Sequence, residues 1–320
     1  MNARQAASAG GSASAKSRRA VRLVHEIVLR HFGERPRRIH EHGGGLTNSV
    51  YQFRVAGGEY ILRTHADATK ISDYLKEQWA MDAARGAGVP VPKVLEVANF
   101  ADGRAYMISE LVPGVAGLLA ADRLAALEAL GRAAAALQTV RTHGYGPVFD
   151  WSSNTLSRHE SWADYLARGF DVEARLDLLL RHRVLDAARA ARLRKVAAAM
   201  SRWRRPAVLH HGDLRLKNVI LDGASGRLLA LIDWETCTSS PGPYWDLSLA
   251  LHDLGVDECE AFIAGYGMDA RDFAAALPFV RLLNILNYAP TVGAAAAAKD
   301  KARLDWLRLR LQGGMELFGH

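Results

Sequence analysis

Residues 210–218 read His210-His211-Gly212-Asp213-Leu214-Arg215-Leu216-Lys217-Asn218, and Asp233 follows fifteen residues after Asn218. Phosphoryl transfer from a nucleotide needs such a set, because one Asp must orient the acceptor hydroxyl and take its proton. An Asn oxygen and a second Asp must also hold magnesium against the triphosphate. The spacing therefore predicts Asp213 as the catalytic base, with Asn218 and Asp233 as the magnesium ligands. An ordinary polar loop would account for any one of these residues but not for the ordered set.

The segment after Asn218 has the pattern of a short hairpin. Val219-Ile220-Leu221 and Leu228 to Ile232 are apolar and suited to strands, and the intervening Asp222 to Gly226 carries turn residues. Such a hairpin would bring its two ends together. We therefore expect Asn218 and Asp233 to converge on one metal, while Asp213 stays in the preceding loop and faces the substrate.

Composition describes a soluble globular protein. The 320 residues are 49% hydrophobic and 23% charged, which allows one large domain or two smaller lobes. The two cysteines, Cys237 and Cys259, offer neither a disulfide framework nor a CxxC metal site, as expected in a reducing cytosol. No apolar run approaches the length of a membrane span. We therefore expect a cytoplasmic protein without a membrane partner.

The formal charge of +7 raises the alternative of a nucleic-acid binder. Part of the charge lies in the first 22 residues, which contain no acid, and more lies on segments with helical spacing, where a solvated face is the ordinary explanation. Neither an aromatic-glycine RNA-binding signature nor zinc-finger spacing is present. We do not expect a nucleic-acid partner. Residues 1–20 are rich in Ala, Ser and Gly and are predicted to form a disordered basic tail.

Residues 39–63 predict strand, glycine-rich turn, strand, hairpin and strand. The turn, residues 43–49, suits a loop whose backbone amides approach a phosphate, although consecutive glycines are also common in flexible hairpins. Arg63 lies on the third strand, where a kinase-type site places a cation against the phosphates. Glu77 lies on a predicted helix from Ile71 to Ala87 and could pair with Arg63. An exposed strand arginine and a solvated helix glutamate are the plainer alternatives.

The remaining chain changes from sheet to helix. Ala105 to Val112 predicts a strand, which Pro113-Gly114 breaks, and this break marks a boundary between residues 21–112 and 113–320. Beyond it the pattern predicts mainly helices, with the clearest over Asp122–Gln138, Trp162–Leu180, Leu185–Trp203 and parts of Phe273–Phe318. The first part is therefore predicted to be a small sheet-rich lobe and the second a helical lobe that carries the catalytic loop and substrate site.

In this order the motifs resemble those of the aminoglycoside phosphotransferase family, from about Ile39 to Leu254. The most specific matching segment runs from His211-Gly212-Asp213-Leu214 through Ile232-Asp233-Trp234-Glu235 to Trp245-Asp246-Leu247. The resemblance implies an α+β, two-lobed protein-kinase-like fold, with a small antiparallel N-lobe sheet and a mostly helical C-lobe. Local similarity to the hygromycin phosphotransferase branch lies in Gly58 to Arg63 and in Gly144-Tyr145-Gly146-Pro147.

The resemblance also implies roles for individual residues. Asp213 matches the catalytic base, and Asn218 and Asp233 match the magnesium ligands. His211 and Asp246 match residues that support the catalytic loop without taking part in the chemistry. The resemblance also implies a set of nucleotide-binding residues. They are Gly44, Gly45, Asn48 and Ser49 in the glycine-rich turn, the strand cation Arg63 with its helix partner Glu77, and Glu110 and Val112 in the hinge whose backbone reads adenine.

These features predict an ATP- and Mg²⁺-dependent phosphotransferase that acts on a hydroxyl of a small molecule. The acceptor could be an aminoglycoside or aminocyclitol, or a metabolite such as an amino alcohol or sugar. Glu235 and Asp253 follow the metal Asp and are candidates for binding a cationic acceptor, although a polycationic substrate suits a basic chain poorly. A catalytically weak nucleotide-binding scaffold is the alternative, supported by Arg63 at a position where the family often has Lys.

Overall fold

A computed structural model describes residues 20–42, 49–148, 150 and 159–316. The predicted tail, except for Ala20, and the turn residues Gly44, Gly45 and Asn48 lie outside this range. The described chain divides into two compact units. The first contains the residues up to Gln78 together with Pro92–Val112, and the second contains Trp79–Val91 together with the residues from Pro113 onward. The predicted boundary at residue 112 stays a prediction.

The first unit is an antiparallel sheet with a helix against it. The sheet has the order β1-β2-β3-β5-β4, with β1 at Arg37–His42, β2 at Ser49–Val55, β3 at Gly58–His65, β4 at Val94–Asn99 and β5 at Ala105–Glu110. Helix α1 covers residues 20–32 and packs Ile27 into a core with Phe53 and Leu62. The period-two alternation of β2 produces this core, because it places Tyr51, Phe53 and Val55 on one face. Helix α2, Ile71–Gly86, follows β3.

The second unit is mainly helical and holds two small sheets. Its helices are α3 Arg123–Leu137, α4 Trp162–Asp164, α5 Val172–Arg181, α6 Ala187–Ser201, α7 Tyr244–Ala250, α8 Val256–Tyr266, α9 Ala270–Ala297 and α10 Lys301–Glu316. Strands β6 Val115–Ala116, β8 Val219–Leu221 and β9 Leu228–Leu231 form one sheet, and β7 Ala207–His210 pairs with β10 Thr238–Pro241 in the other. The predicted catalytic loop therefore connects the two sheets, because β7 precedes it in the chain and β8 follows it.

Helices α3 and α8 approach each other at two glycines. A Cβ at Gly131 would lie 2.1 Å from Phe262 O, and one at Gly265 would lie 2.0 Å from Glu128 O. These distances are far inside van der Waals contact, so only glycine allows the two backbones this close. The α3–α8 pair is thus fixed by backbone approach as well as by buried Leu130 and Phe262.

The predicted sheet-then-helix fold class is confirmed, and so is the hairpin of β8 and β9. The prediction of one helix over Trp162–Leu180 is wrong. A π-helical turn at Tyr165–Gly169 follows α4, and Asp171 then adopts a left-handed conformation (φ 54°) and caps α5 through Ala174 N. A Cβ at Gly169 would meet Tyr165 Cδ2 at 2.5 Å and His159 Nε2 at 2.6 Å, so only glycine fits at the end of this π-helical turn. None of the described helices has the length and apolar character needed to cross a bilayer.

Candidate active site

The loop between β7 and β8 is held in place by Asp246, a buried residue in the first turn of α7. Its Oδ2 accepts a hydrogen bond from His211 N and its Oδ1 accepts one from Gly212 N, both at 2.9 Å. Burial opposes the charge, but the His210 side chain, which lies 3.4 Å away, and the loop amides outweigh it and lower the pKa of Asp246. An ionised carboxylate therefore fixes two consecutive loop amides.

Gly212 lets the loop turn at this point. It has a φ of +81°, and an added Cβ would lie 2.0 Å from Thr236 O. A residue with a side chain would meet both a strained backbone conformation and a steric clash. The glycine before Asp213 is therefore required by local packing, independently of any chemistry.

His211 is a neutral imidazole that connects the backbone at Asp213 with the backbone at Ile232, next to Asp233. Its burial lowers its pKa, so the charged form is disfavoured. The Ile232 carbonyl lies 2.9 Å from Nε2 and can only accept, whereas Asp213 N lies 3.2 Å from Nδ1 and can only donate. His211 must therefore carry its proton on Nε2. The ring also packs edge-on against Trp234 at 4.6 Å, which fixes its orientation.

Asp213 lies among cations. Lys217 Nζ is 2.6 Å from its Oδ2 and Arg215 Nε is 3.0 Å from its Oδ1. Asn218 Nδ2 donates to both the carbonyl oxygen of Asp213, at 2.8 Å, and its Oδ2, at 3.1 Å. Partial burial raises the pKa of Asp213, but the hydrogen bond from Lys217 and the charge of Arg215 outweigh it, and the net pKa is lowered. The group is thus an ionised carboxylate at neutral pH.

The hairpin brings Asn218 next to Asp233. Val219 pairs with Leu231, and Ile232 N donates to Asn218 O at 2.9 Å, so Asp233 follows the residue directly opposite Asn218. Asp233 is exposed and has a left-handed backbone (φ 67°). Since the amide nitrogen of Asn218 is directed at Asp213, its carbonyl oxygen is the group left for a further partner.

This donor set suits a hard divalent cation. Mg²⁺ binds oxygen ligands, keeps several waters and is commonly held by one or two carboxylates together with substrate phosphates. One amide oxygen and one exposed carboxylate match that pattern. Within the described residues no group of three or more His, Cys, Asp or Glu is arranged to hold a metal, so a dedicated all-protein cage is not found there.

In the first unit, the structure brings Arg63 and Glu77 together. Arg63 Nη1 lies 2.5 Å from Glu77 Oε2, and the guanidinium stacks over the Tyr74 ring with its carbon 5.3 Å from the ring centroid. The Glu77 side chain is 1% exposed and that of Arg63 is 15% exposed. The pair holds the cation in one place on β3 and leaves part of it accessible.

The other predicted residues occupy varied positions. Ser49 begins β2 and is exposed, and Glu110 ends β5 with its N–H bonded to Lys93 O at 2.9 Å. Val112 follows β5 at the end of the first unit. Glu235 lies in the turn after Asp233, and Asp253 ends a 3₁₀ turn that follows α7.

Four residues that contact Asp213 or Asp253, directly or through one another, were not predicted as site residues. Arg215 and Lys217 have a sequence signal, because they are basic residues two and four positions after Asp213. His252 and Arg310 have no such signal, because they come from elements distant in sequence. Arg215 Nη1 lies 3.8 Å from Asp253 Oδ2, Arg310 forms an ion pair with Asp253, and Arg310 Nε lies 2.9 Å from His252 Nε2.

Solved structures with a similar fold are aminoglycoside phosphotransferases. A thermostable mutant of APH(4)-Ia in a ternary complex with AMP-PNP and hygromycin B has a TM-score of 0.66 at 20% identity, covering 92% of this chain and 99% of that chain. A mutant of aminoglycoside 2'-phosphotransferase-IIIa in its GDP complex has a TM-score of 0.64 at 17% identity, covering 91% and 96%. At these identities the likeness establishes the kinase-like fold alone.

Residues 38–283 match the model of the phosphotransferase enzyme family (APH), and the chain belongs to this family. Its sequence is 26% identical to hygromycin-B 4-O-kinase from Escherichia coli over 209 residues, which is 62% of this chain and 58% of that protein. The match thus spans less than two thirds of the curated relative. Family membership agrees with the resemblance seen in the sequence.

Proposed function

We propose that this protein transfers the terminal phosphate of ATP to a hydroxyl of a small molecule, with Mg²⁺ as cofactor. One observation carries the proposal: the catalytic-loop carboxylate Asp213 is hydrogen-bonded to Asn218, which itself lies beside Asp233 across the β8–β9 hairpin. Family membership and the AMP-PNP complex of a similar fold support it.

In the proposed reaction, Asp213 orients the acceptor hydroxyl and takes its proton. The hydroxyl oxygen forms a bond to the terminal phosphorus, and the bond from that phosphorus to the bridging oxygen breaks to release the nucleoside diphosphate. The proposed ligands Asn218 and Asp233 would hold Mg²⁺, which offsets negative charge on the phosphates when bound. Arg63, fixed by Glu77, is the proposed phosphate cation. The work is positioning and electrostatics, without a covalent enzyme intermediate.

A nucleotide-turnover screen tests the proposal. The panel comprises aminocyclitols, amino alcohols, sugars and macrolides, each with ATP or GTP and with or without MgCl₂. We expect metal-dependent turnover in the wild type and its loss in Asp213→Asn and Asp233→Asn. Asp257→Asn, an exposed acid in the first turn of α8, is the matched control and should retain turnover. Equal background turnover in all four proteins would support the nucleotide-binding scaffold instead.

A further inference from the structure

The ion-pair partners of Asp213 and Asp253 are basic side chains, and this bears on the acceptor. Arg215, Lys217 and Arg310 supply three fixed positive charges, whereas Asp213 and Asp253 supply two negative ones. We call Arg215, Lys217, His252, Asp253 and Arg310 the basic cluster. It joins residues of the catalytic loop, of the turn after α7 and of α10 within the second unit. These three cations and two carboxylates together carry one excess positive charge.

Asp253 is already neutralised. Both oxygens face guanidinium groups, Oδ1 toward Arg310 and Oδ2 toward Arg215. An amino group of a cationic acceptor could pair with Asp253 only by displacing one of these arginines. Asp253 thus lacks the property for which it was a candidate, namely a carboxylate available to a positively charged substrate.

The arginines are held in place by contacts other than Asp253. Arg310 Nε donates to His252 Nε2 at 2.9 Å, and its guanidinium carbon lies 5.0 Å from the centroid of the Trp306 ring. Burial and the nearby charges of Arg310 and Arg215 lower the pKa of His252 to about 4. His252 is therefore neutral at physiological pH and accepts from Arg310 without adding charge. Its ring packs against Tyr288 at 4.6 Å, which stabilises this side of the cluster.

We infer that the basic cluster binds an anionic group of the acceptor, so that the substrate is a hydroxy compound carrying a carboxylate or phosphate. The Arg215 guanidinium bridges Asp213 and Asp253, which places the cluster within one side-chain length of the base. Planar guanidinium groups recognise carboxylate and phosphate oxygens in a bidentate manner. This inference rests on the proposed phosphotransferase function and narrows its acceptor class.

Matched acceptor pairs test the charge requirement. Gluconate is compared with glucitol, glycerol 3-phosphate with glycerol, and hygromycin B serves as the cationic acceptor. Nucleotide turnover in excess of the water-dependent rate is measured for each. We expect one of the two anions to be preferred over its neutral counterpart by tenfold or more in kcat/KM, and the preferred anion distinguishes carboxylate from phosphate. If only neutral or cationic acceptors stimulate turnover, the inference is overturned.

Substitution of Asp253 should change KM in opposite directions for the two acceptor classes, and substitution of Arg310 tests the contribution of the cation. Asp253→Asn removes the carboxylate that competes with an anion, so KM for the anionic acceptor should fall about threefold or more. The same change would raise KM if Asp253 bound an amino group of a cationic acceptor. Arg310→Gln should raise KM for the anion tenfold or more, and Arg310→Lys should recover only part of this loss, because an ammonium group keeps the charge but not the bidentate geometry. Arg303→Gln, an exposed arginine over the same Trp306 ring, is the control and should change nothing.

Failure of this inference differs from failure of the proposed function. Water-dependent turnover of nucleotide that is lost in Asp213→Asn would support the phosphotransferase whatever the acceptor is. If neither anion stimulates turnover, nor raises the unfolding temperature in a manner that depends on Arg310, the anionic acceptor is ruled out while the phosphotransferase stands. Absence of turnover and of nucleotide binding in the wild type would overturn the proposed function itself.

Discussion

Asp246 accepts hydrogen bonds at 2.9 Å from the backbone amides of His211 and Gly212, the two residues that precede Asp213 in the proposed catalytic loop. The carboxylate is buried, so neither amide has water as a ready substitute partner. The backbone position of Asp213 therefore depends on a residue that touches neither nucleotide nor acceptor in the proposed mechanism.

Asp246→Asn should impair both folding and turnover. An amide offers one acceptor oxygen where the carboxylate offers two, which leaves one buried N–H unsatisfied at a cost of about 1–3 kcal/mol. A small displacement of the loop can lower turnover on the order of 10²-fold. Urea unfolding and turnover measure the two effects. Asp305→Asn on α10, whose side chain is 49% exposed, is the control; equal effects of both substitutions would contradict this role.

Removing one partner of the Arg63–Glu77 pair should destabilise the fold strongly, whereas replacing both partners by apolar residues should destabilise it little. Removing one partner leaves a charge poorly solvated, so Glu77→Gln should lower the free energy of unfolding by about 3–5 kcal/mol. The double change Arg63→Met/Glu77→Leu should recover most of that loss, because a well-packed apolar pair can substitute for a buried ion pair. Nucleotide affinity should nevertheless remain weak in the double variant, since Arg63, the proposed phosphate cation, is absent.

Denaturant unfolding and nucleotide titration separate these two effects. The Lys70–Asp73 pair, in which Lys70 precedes α2 and the Asp73 side chain is 43% exposed, provides a control, and Asp73→Asn should cost less than about 1 kcal/mol. Recovery of nucleotide binding together with stability in the double variant would argue that Arg63 serves the fold alone.

Much of the local structure could be predicted because the determining residues are close in sequence. The apolar segments around Asp222 to Gly226 are sufficient to form β8 and β9, which place Asn218 beside Asp233. The order of Arg63 and Glu77, one on a strand and one on the next helix, likewise follows from hydrophobic periodicity. These features depend on short-range geometry and on turn chemistry.

What could not be predicted depends on tertiary packing. The apolar periodicity of Trp162–Leu180 is helical throughout, yet a glycine packed against Tyr165 and His159 accompanies a break that periodicity does not reveal. Asp253 could be proposed as an acid for a cationic substrate from its position after Asp233. Only the fold shows that Arg310, from α10, neutralises it.

Because α3 and α8 are in close contact, we expect one methyl group added at Gly131 to lower the stability of the fold strongly. In Gly131→Ala the new Cβ would lie 2.1 Å from Phe262 O and 2.8 Å from Tyr266 N, so the helices must separate. Overpacking of this kind costs about 1–3 kcal/mol, and more where backbone is the obstacle. Gly86→Ala in α2 has open space and should stabilise by about 0.4–1 kcal/mol. Thermal and urea unfolding of both variants check the difference, and equal effects would contradict it.

The lowered pKa of His252 predicts a pH dependence of stability. The folded protein holds this residue neutral down to about pH 4, whereas the unfolded chain binds a proton near the usual pKa of about 6.5. Between these values the unfolded state binds more protons, so stability is present above about pH 6.5 and is lost as the pH falls toward 4. The loss from this group should amount to at most about 3 kcal/mol.

His252→Gln isolates this contribution, because glutamine offers an acceptor to Arg310 but does not titrate. Urea unfolding at about pH 7.5 and about pH 4.5 should show a smaller pH-dependent loss in His252→Gln than in the wild type. His143→Gln, which removes an exposed histidine instead, is the matched control and should leave the wild-type loss unchanged. An identical pH-dependent loss in all three would mean that His252 is not held neutral by the fold, and would remove the uncharged acceptor on which the orientation of Arg310 depends.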